Sequence, residues 1–186
     1  DEYATDEVWR LDLGTFRWER MPSLRCARFD HACCAVRGNV VVIGGTGAET
    51  DGDGVIGVLA TVEVLRVGDN SSTSEEALRW RNVMPLSCPR QIPDVALPID
   101  EMDSEEGRVL LLGGVDDDET SNEVVEVDLA TGARSNQAPL LLNRQCSAAS
   151  RIPDKRIVCA GGGHDTILSS SAAEIFEPPK VGSTDG

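Results

Sequence analysis

Val109-Leu110-Leu111-Leu112-Gly113-Gly114 is the stretch that decides the fold, because the chain says nearly the same thing twice more. Val40-Val41-Val42-Ile43-Gly44-Gly45 precedes it, and Ile157-Val158-Cys159-Ala160-Gly161-Gly162 follows. Four apolar residues without polar alternation describe a strand covered on both faces. A glycine pair after such a strand permits a sharp exit or a close backbone approach that a β-carbon would block. One copy would mean little. Three copies with recurring neighbours define a repeat.

Downstream of each glycine pair comes a second short strand. Glu126 and Glu174 stand 13 residues after Gly113 and Gly161, in Val124-Val125-Glu126-Val127-Asp128 and Ala172-Ala173-Glu174-Ile175-Phe176. The corresponding Val62-Glu63-Val64-Leu65 is delayed by the six-residue insertion Glu49-Thr50-Asp51-Gly52-Asp53-Gly54. Val8-Trp9-Arg10-Leu11-Asp12 is a further copy, without the strands that should precede it. Trp18 follows Asp12 by six residues, and Trp80 holds the comparable place in the next unit. Met21-Pro22, Met84-Pro85 and Ala138-Pro139 come next, and then Arg28, Arg90 and Arg144. The distance is 16 residues both from Asp12 to Arg28 and from Asp128 to Arg144.

The unit is therefore four short strands in turns-and-strands order, with breaks near residues 28, 90 and 144 and a repeat array over 1–180, followed by a flexible tail at 181–186. Helix periodicity is missing, so the chain is expected to be all-β. A single sheet of this kind cannot bury both faces alone and must stack on its neighbours. Its core has to be aliphatic, since aromatic residues make up only 4% of the chain. No apolar run approaches the ~20 residues that cross a bilayer as a helix, so no membrane partner is expected.

A net charge of −15 argues against nucleic acid, which requires a basic face that displaces counterions. An acidic surface favours basic partners instead. The six cysteines (Cys26, Cys33, Cys34, Cys88, Cys146 and Cys159) contain no CxxC pair, which removes zinc fingers and ribbons from consideration. Most lie in or beside apolar runs and read as small reduced hydrophobes, which points to a cytoplasmic protein, with the nucleus as the other reducing compartment; the even count leaves disulfides as the alternative.

The ordered set of double glycine, strand ending near Asp, Trp, Pro and Arg resembles the Kelch repeat from Val8 to about Pro179. There are departures. Arg134 or Ser135 stands where the third Trp should be, which predicts the loosest packing in that unit, and Leu11 and Val127 replace a common aromatic. The resemblance implies a β-propeller of four-stranded antiparallel blades around a channel. About three to four blades are represented here, as part of a longer propeller or as an open array. Self-association that completes a ring, such as two copies closing six blades, is the alternative.

Enzymes of this architecture are a minority, and the residues their chemistry needs are scarce. The resemblance to copper-radical oxidases would require tyrosine and histidine ligands, but Tyr3 is the only tyrosine and His31 and His164 the only histidines. The Glu-Asp-His spacing of iron-dependent specifier proteins is not found either. No metal or other cofactor is therefore expected. His31 reads as a structural, hydrogen-bonded residue. The 49–54 loop imitates half of a calcium-binding loop, but its twelfth position is Ala60. His164-Asp165 could form a base pair for catalysis, but no nucleophile can be placed beside it, so partner contact is the better reading.

The expectation is a non-enzymatic module that binds a protein. Asp51 and Asp53 in one unit, Asp116, Asp117 and Asp118 in the next, and His164 with Asp165 in the third occupy equivalent loops, which repeat geometry puts on one face. They form a candidate acidic surface for a basic segment. Asp30, Ile92 and Cys146, two residues beyond each arginine, are positions that face the binding surface in Kelch propellers. Arg28, Arg90 and Arg144 are read as structural ties between a loop and the adjacent blade. Family members often act as substrate receptors of ubiquitin ligases or as scaffolds. The rival expectation is a metal-dependent enzyme whose site lies in blades outside this chain.

Overall fold

The computed structural model describes residues 4–48, 56–67, 78–83, 85–86, 95–99, 105–116, 119–163 and 170–177. These residues form strands and turns, with no helix among them. In chain order the strands are β1 (Val8–Asp12), β2 (Arg17–Met21), β3 (Arg28–Phe29), β4 (Ala32–Val36), β5 (Asn39–Ile43), β6 (Thr46–Gly47), β7 (Gly57–Val58), β8 (Val62–Arg66) and β9 (Arg81–Val83). They continue as β10 (Val95–Ile99), β11 (Arg108–Leu112), β12 (Val115–Asp116), β13 (Glu119–Thr120), β14 (Val124–Asp128), β15 (Arg134–Asn136), β16 (Gln145–Arg151), β17 (Ile157–Gly163) and β18 (Ala173–Phe176).

Three successive antiparallel sheets carry the architecture. Sheet one has the order β4-β5-β8-β9, sheet two β10-β11-β14-β15, and sheet three β16-β17-β18. A hairpin, β1-β2, precedes them, and the short ladders β3-β6-β7 and β12-β13 sit on the loops. The three double-glycine strands therefore lie in three separate sheets, each second in its sheet. The first strands β4, β10 and β16 are neighbours, so the sheets converge along one edge.

Alternation within each strand assigns its side chains to one neighbour or the other. In sheet one Val41, Ile43, Val62 and Val64 pack against Val109, Leu111, Val125 and Val127 of sheet two. From the opposite face of sheet two, Leu110, Leu112 and Val124 meet Ile157, Cys159 and Phe176 of sheet three. Val42, Leu65 and Trp80 turn the other way, onto Leu24, Val8 and Met21. That is why the double-glycine strands of sheets one and two are apolar throughout: both of their sides are covered.

Repeated backbone bonds fix which residues are equivalent. The first glycine of each pair donates to Thr61 O, Glu123 O and Ala172 O in the three sheets. Leu24 N, Leu86 N and Leu140 N donate to Asp6 O, Ala60 O and Asn122 O, so one buried leucine staples each connection to the carbonyl two residues ahead of β1, β8 or β14. Asp12 Oδ1 and Asp128 Oδ1 each accept backbone N–H groups two and three residues on, closing equivalent turns.

These equivalences correct one sequence assignment and decide between the alternatives of another. Glu63 lies opposite Val42 and Glu174 opposite Cys159, each two residues before its glycine pair. The residue opposite Leu111, two before Gly113, is Val125 rather than Glu126. Gly113 to Glu123 is one residue shorter than Gly161 to Ala172, so counting from the glycines lands one place too far and on the other face. Glu126 instead pairs with Arg108 at 3.1 Å and accepts from Gln137.

The second concerns the missing tryptophan. Arg134 lies opposite Val127 as Trp18 lies opposite Leu11, so it holds the indole position. Trp80 Nε1 donates to Pro22 O at 2.8 Å, and Arg134 Nη1 donates to the equivalent Pro85 O at 2.5 Å. The indole's buried surface is lost in this unit, but its hydrogen bond is kept.

Candidate functional site

The loops after the double glycines are set by a strained approach of backbone to backbone. Gly45 has φ +93 and Gly162 φ +78, and a β-carbon on either would come 2.5 Å from Phe29 O or Gln145 O. The chain opposite has to bulge to make this approach, and the bulge falls on a non-glycine residue each time: Asp30 at φ 52 and Cys146 at φ 56. Both side chains are exposed. Left-handed conformations at non-glycine residues cost of order 1–3 kcal/mol and cluster where a surface does work. Two residues at the same repeat position share the strain, so it belongs to the repeat and not to an accident of one loop.

Beneath this edge sits a buried ion pair. Arg28 is buried and its guanidinium pairs with Glu63, also buried, while Nη1 donates to Gly44 O at 2.7 Å and Nη2 to Thr61 Oγ1 at 3.0 Å. Glu63 in turn accepts from Arg25 N at 2.7 Å and Cys26 N at 3.2 Å. Sheet three repeats the device. Arg144 Nε donates to Glu174 Oε1 at 2.8 Å, Nη1 donates to Gly161 O and to Ala172 O, and Glu174 Oε2 accepts from Leu141 N at 2.6 Å. The side-chain lock thus closes within a sheet, tying its entry loop to its second and third strands. The tie to the neighbouring sheet is made by the backbone: Arg28 N donates to Thr5 O and Arg144 N to Ser121 O, and Gly114 N donates to Arg144 O.

Sequence reasoning marked the arginines but missed their carboxylate partners. The signal was present, since a glutamate recurs in an otherwise apolar strand. In sheet two Val125 occupies the glutamate's place, and Arg90 lies outside the described residues.

One atom of the second lock is unpaired. Among the described residues, Arg144 Nη2 is buried without a hydrogen-bond partner, because Ala172 stands where sheet one has the hydroxyl of Thr61. Ala172→Ser supplies an acceptor at that place. Satisfying a buried charged donor is worth about 1–3 kcal/mol, so the variant should unfold at higher urea concentration than the parent. An unchanged or lower midpoint would count against this assignment.

The candidate acidic residues are only partly described. Asp30 is exposed beside Gly45. Asp116 lies in β12, opposite Glu119 of β13. Asp117 and Asp118, between those strands, fall outside the described residues, as do Asp51 and Asp53 between β6 and β7 and His164 and Asp165 after β17. The two hairpins are themselves equivalent, since β6-β7 begins at Thr46 and β12-β13 at Val115, one residue after each glycine pair.

His31 is exposed and, among the described residues, its imidazole has no hydrogen-bond partner, which corrects the expectation of a hydrogen-bonded structural histidine. Partial desolvation of its ring, and then the Arg28 charge, hold its pKa below the ordinary value, with Asp30 pulling the other way. Cys34, on β4, has its thiol pushed up to about 12 by burial and by Cys33 beside it, so it is inert as a nucleophile at neutral pH. Among the described residues no three His, Cys, Asp or Glu side chains are grouped to hold a metal ion, and no helix is long and apolar enough to cross a membrane.

With this geometry in hand, similarity to known proteins can be weighed. No family profile matches the chain. Over 87 residues, 47% of the chain, it is 32% identical to an F-box/kelch-repeat protein of Arabidopsis thaliana. The likeness is to a kelch-repeat protein. The matched part is 19% of that relative's length, so the likeness spans about a fifth of it. Together with separate antiparallel sheets of three and four strands, this is consistent with a segment of a kelch-type propeller and with a general role in protein interaction.

Proposed function

We propose that this chain is a non-enzymatic protein-interaction module, a segment of a kelch-type propeller that offers the loops after its double glycines to a protein partner. The observation that carries the reading is the equivalence of the β6-β7 and β12-β13 hairpins, each issuing from a glycine pair that is locked onto the neighbouring strand. Loops that vary in sequence on a scaffold that does not are where repeat proteins bind. The acids between these strands, together with the exposed Asp30, give the surface a negative charge suited to a basic segment. The likeness to an F-box/kelch-repeat protein favours service as the substrate-receiving part of a ubiquitin ligase, in the cytoplasm or nucleus. A metal-dependent enzyme, its ligands carried by other blades, is the alternative.

Titration of the protein with a fluorescent Lys/Arg-rich peptide tests the acidic surface. Changing Asp116, Asp117 and Asp118 together to Ser is expected to weaken binding about tenfold and to flatten its dependence on salt, since screening acts on exposed charges. Equal affinity for parent and variant would exclude this surface.

A further inference from the structure

The connection from β15 to β16 holds its residues at fixed places. Leu140 N donates to Asn122 O at 2.8 Å, and Asn122 Nδ2 donates to Leu140 O at 2.9 Å. Leu141 N donates to Glu174 Oε2 of the second lock at 2.6 Å, and Arg144 N to Ser121 O at 3.0 Å. Leu140 joins the apolar core between sheets two and three and is 2% exposed. With the backbone pinned on both sides, its neighbour cannot turn into the same slot. Leu141 is 84% exposed, more than any other large hydrophobic residue among those described.

Place in the repeat sets this exposure. The equivalent residue in sheet one is Arg25, whose N–H makes the same bond to Glu63. Arg25 is exposed as well, although the β1-β2 hairpin precedes it and sheet two follows it. The position therefore stays open between flanking units. What differs is the chemistry: sheet one presents a cation there, and sheet three a bare aliphatic group.

The charge beside Leu141 is negative. Its loop is tied to the β12-β13 hairpin through Arg144 N to Ser121 O and Gly114 N to Arg144 O. That hairpin pairs Asp116 with the exposed Glu119. A leucine in water gains by being covered, and a loop already fixed by hydrogen bonds loses little freedom when it is. Acids next to it select a cationic partner.

We propose that Leu141 is the apolar anchor of the partner surface, and that the bound segment carries a large apolar side chain beside its lysines or arginines. The apolar group covers Leu141, and the cations face the acids of the β12-β13 hairpin. This anchor presupposes the protein-interaction reading above and names the chemistry of its partner.

Two Lys/Arg-rich peptides of equal charge, one with a central Phe and one with Ser in its place, test the anchor apart from the charge. The Phe peptide should bind the parent about tenfold more tightly than the Ser peptide. Leu141→Ser should remove that difference, leave the affinity of the Ser peptide unchanged and keep the urea midpoint of the parent. Equal affinity of the parent for both peptides would overturn the anchor while the acidic surface stood. So would a Leu141→Ser variant that still prefers Phe, or one that unfolds at lower urea, since the chain itself would then cover Leu141. Failure of both peptides to bind would remove the basic-segment reading, and the anchor with it.

Discussion

Glu63→Ala is expected to cost about 3–5 kcal/mol, because removing one partner of a buried ion pair strands the other charge in a medium that cannot solvate it. Arg28 would keep its bonds to Gly44 O and Thr61, but no carboxylate would remain to balance it. Arg25 N and Cys26 N would lose their acceptors as well. Against a typical domain stability of about 5–15 kcal/mol, the variant should unfold at far lower urea concentration, or populate the unfolded state without urea. Replacing both partners, as Arg28→Met with Glu63→Val, should cost less than either single change, since apolar residues of similar volume often replace a buried pair at little cost. Sheet two shows that a valine fits the glutamate's place: Val125 fills it and packs in the core. A double variant as unstable as Glu63→Ala would contradict this account.

Trp80→Ala should cost about 3–5 kcal/mol, the usual range for deleting a buried indole. Trp80 fills the space between Leu24, Val42 and Leu65 and donates to Pro22 O, so the change removes core volume and takes a donor from that carbonyl. The same substitution at Trp18, which is 63% exposed, should stay within about 0.5 kcal/mol of the parent. The two residues hold equivalent places in the repeat, and among the described residues only Trp80 is covered by a neighbouring unit. Equal losses at both positions in chemical denaturation would mean that burial is not what separates them.

The repeat was legible because backbone geometry, not packing detail, demands its markers. Gly45 and Gly162 approach a neighbouring carbonyl more closely than any β-carbon permits, so the double glycine survives wherever the unit does. Arg28 and Arg144 were visible for the same reason, each having several fixed acceptors. Harder to read was anything that depends on a loop's length. One residue fewer between Gly113 and β14 moves Glu126 across the sheet, and no residue count from the glycines reveals that. Arg134 was legible as one of two occupants of the indole position, but only register separates it from Ser135 and only the fold shows that it keeps the indole's hydrogen bond. Of the candidate site, the sequence marked the acids and the positions beyond the arginines. It could not show that Asp30 and Cys146 share a left-handed backbone, because that conformation is imposed by the strand opposite.

The arginine–glutamate locks join residues 35 and 30 positions apart in the chain, and each is complete within its own sheet. Contacts of such modest separation are reached early when a chain condenses, since closing a short loop costs less entropy than closing a long one. A growing polypeptide can thus secure one sheet while the next is still being synthesised, leaving the apolar stacking between sheets as the later event. Amide exchange should mirror that history, with the strands gripped by each lock opening together as a group.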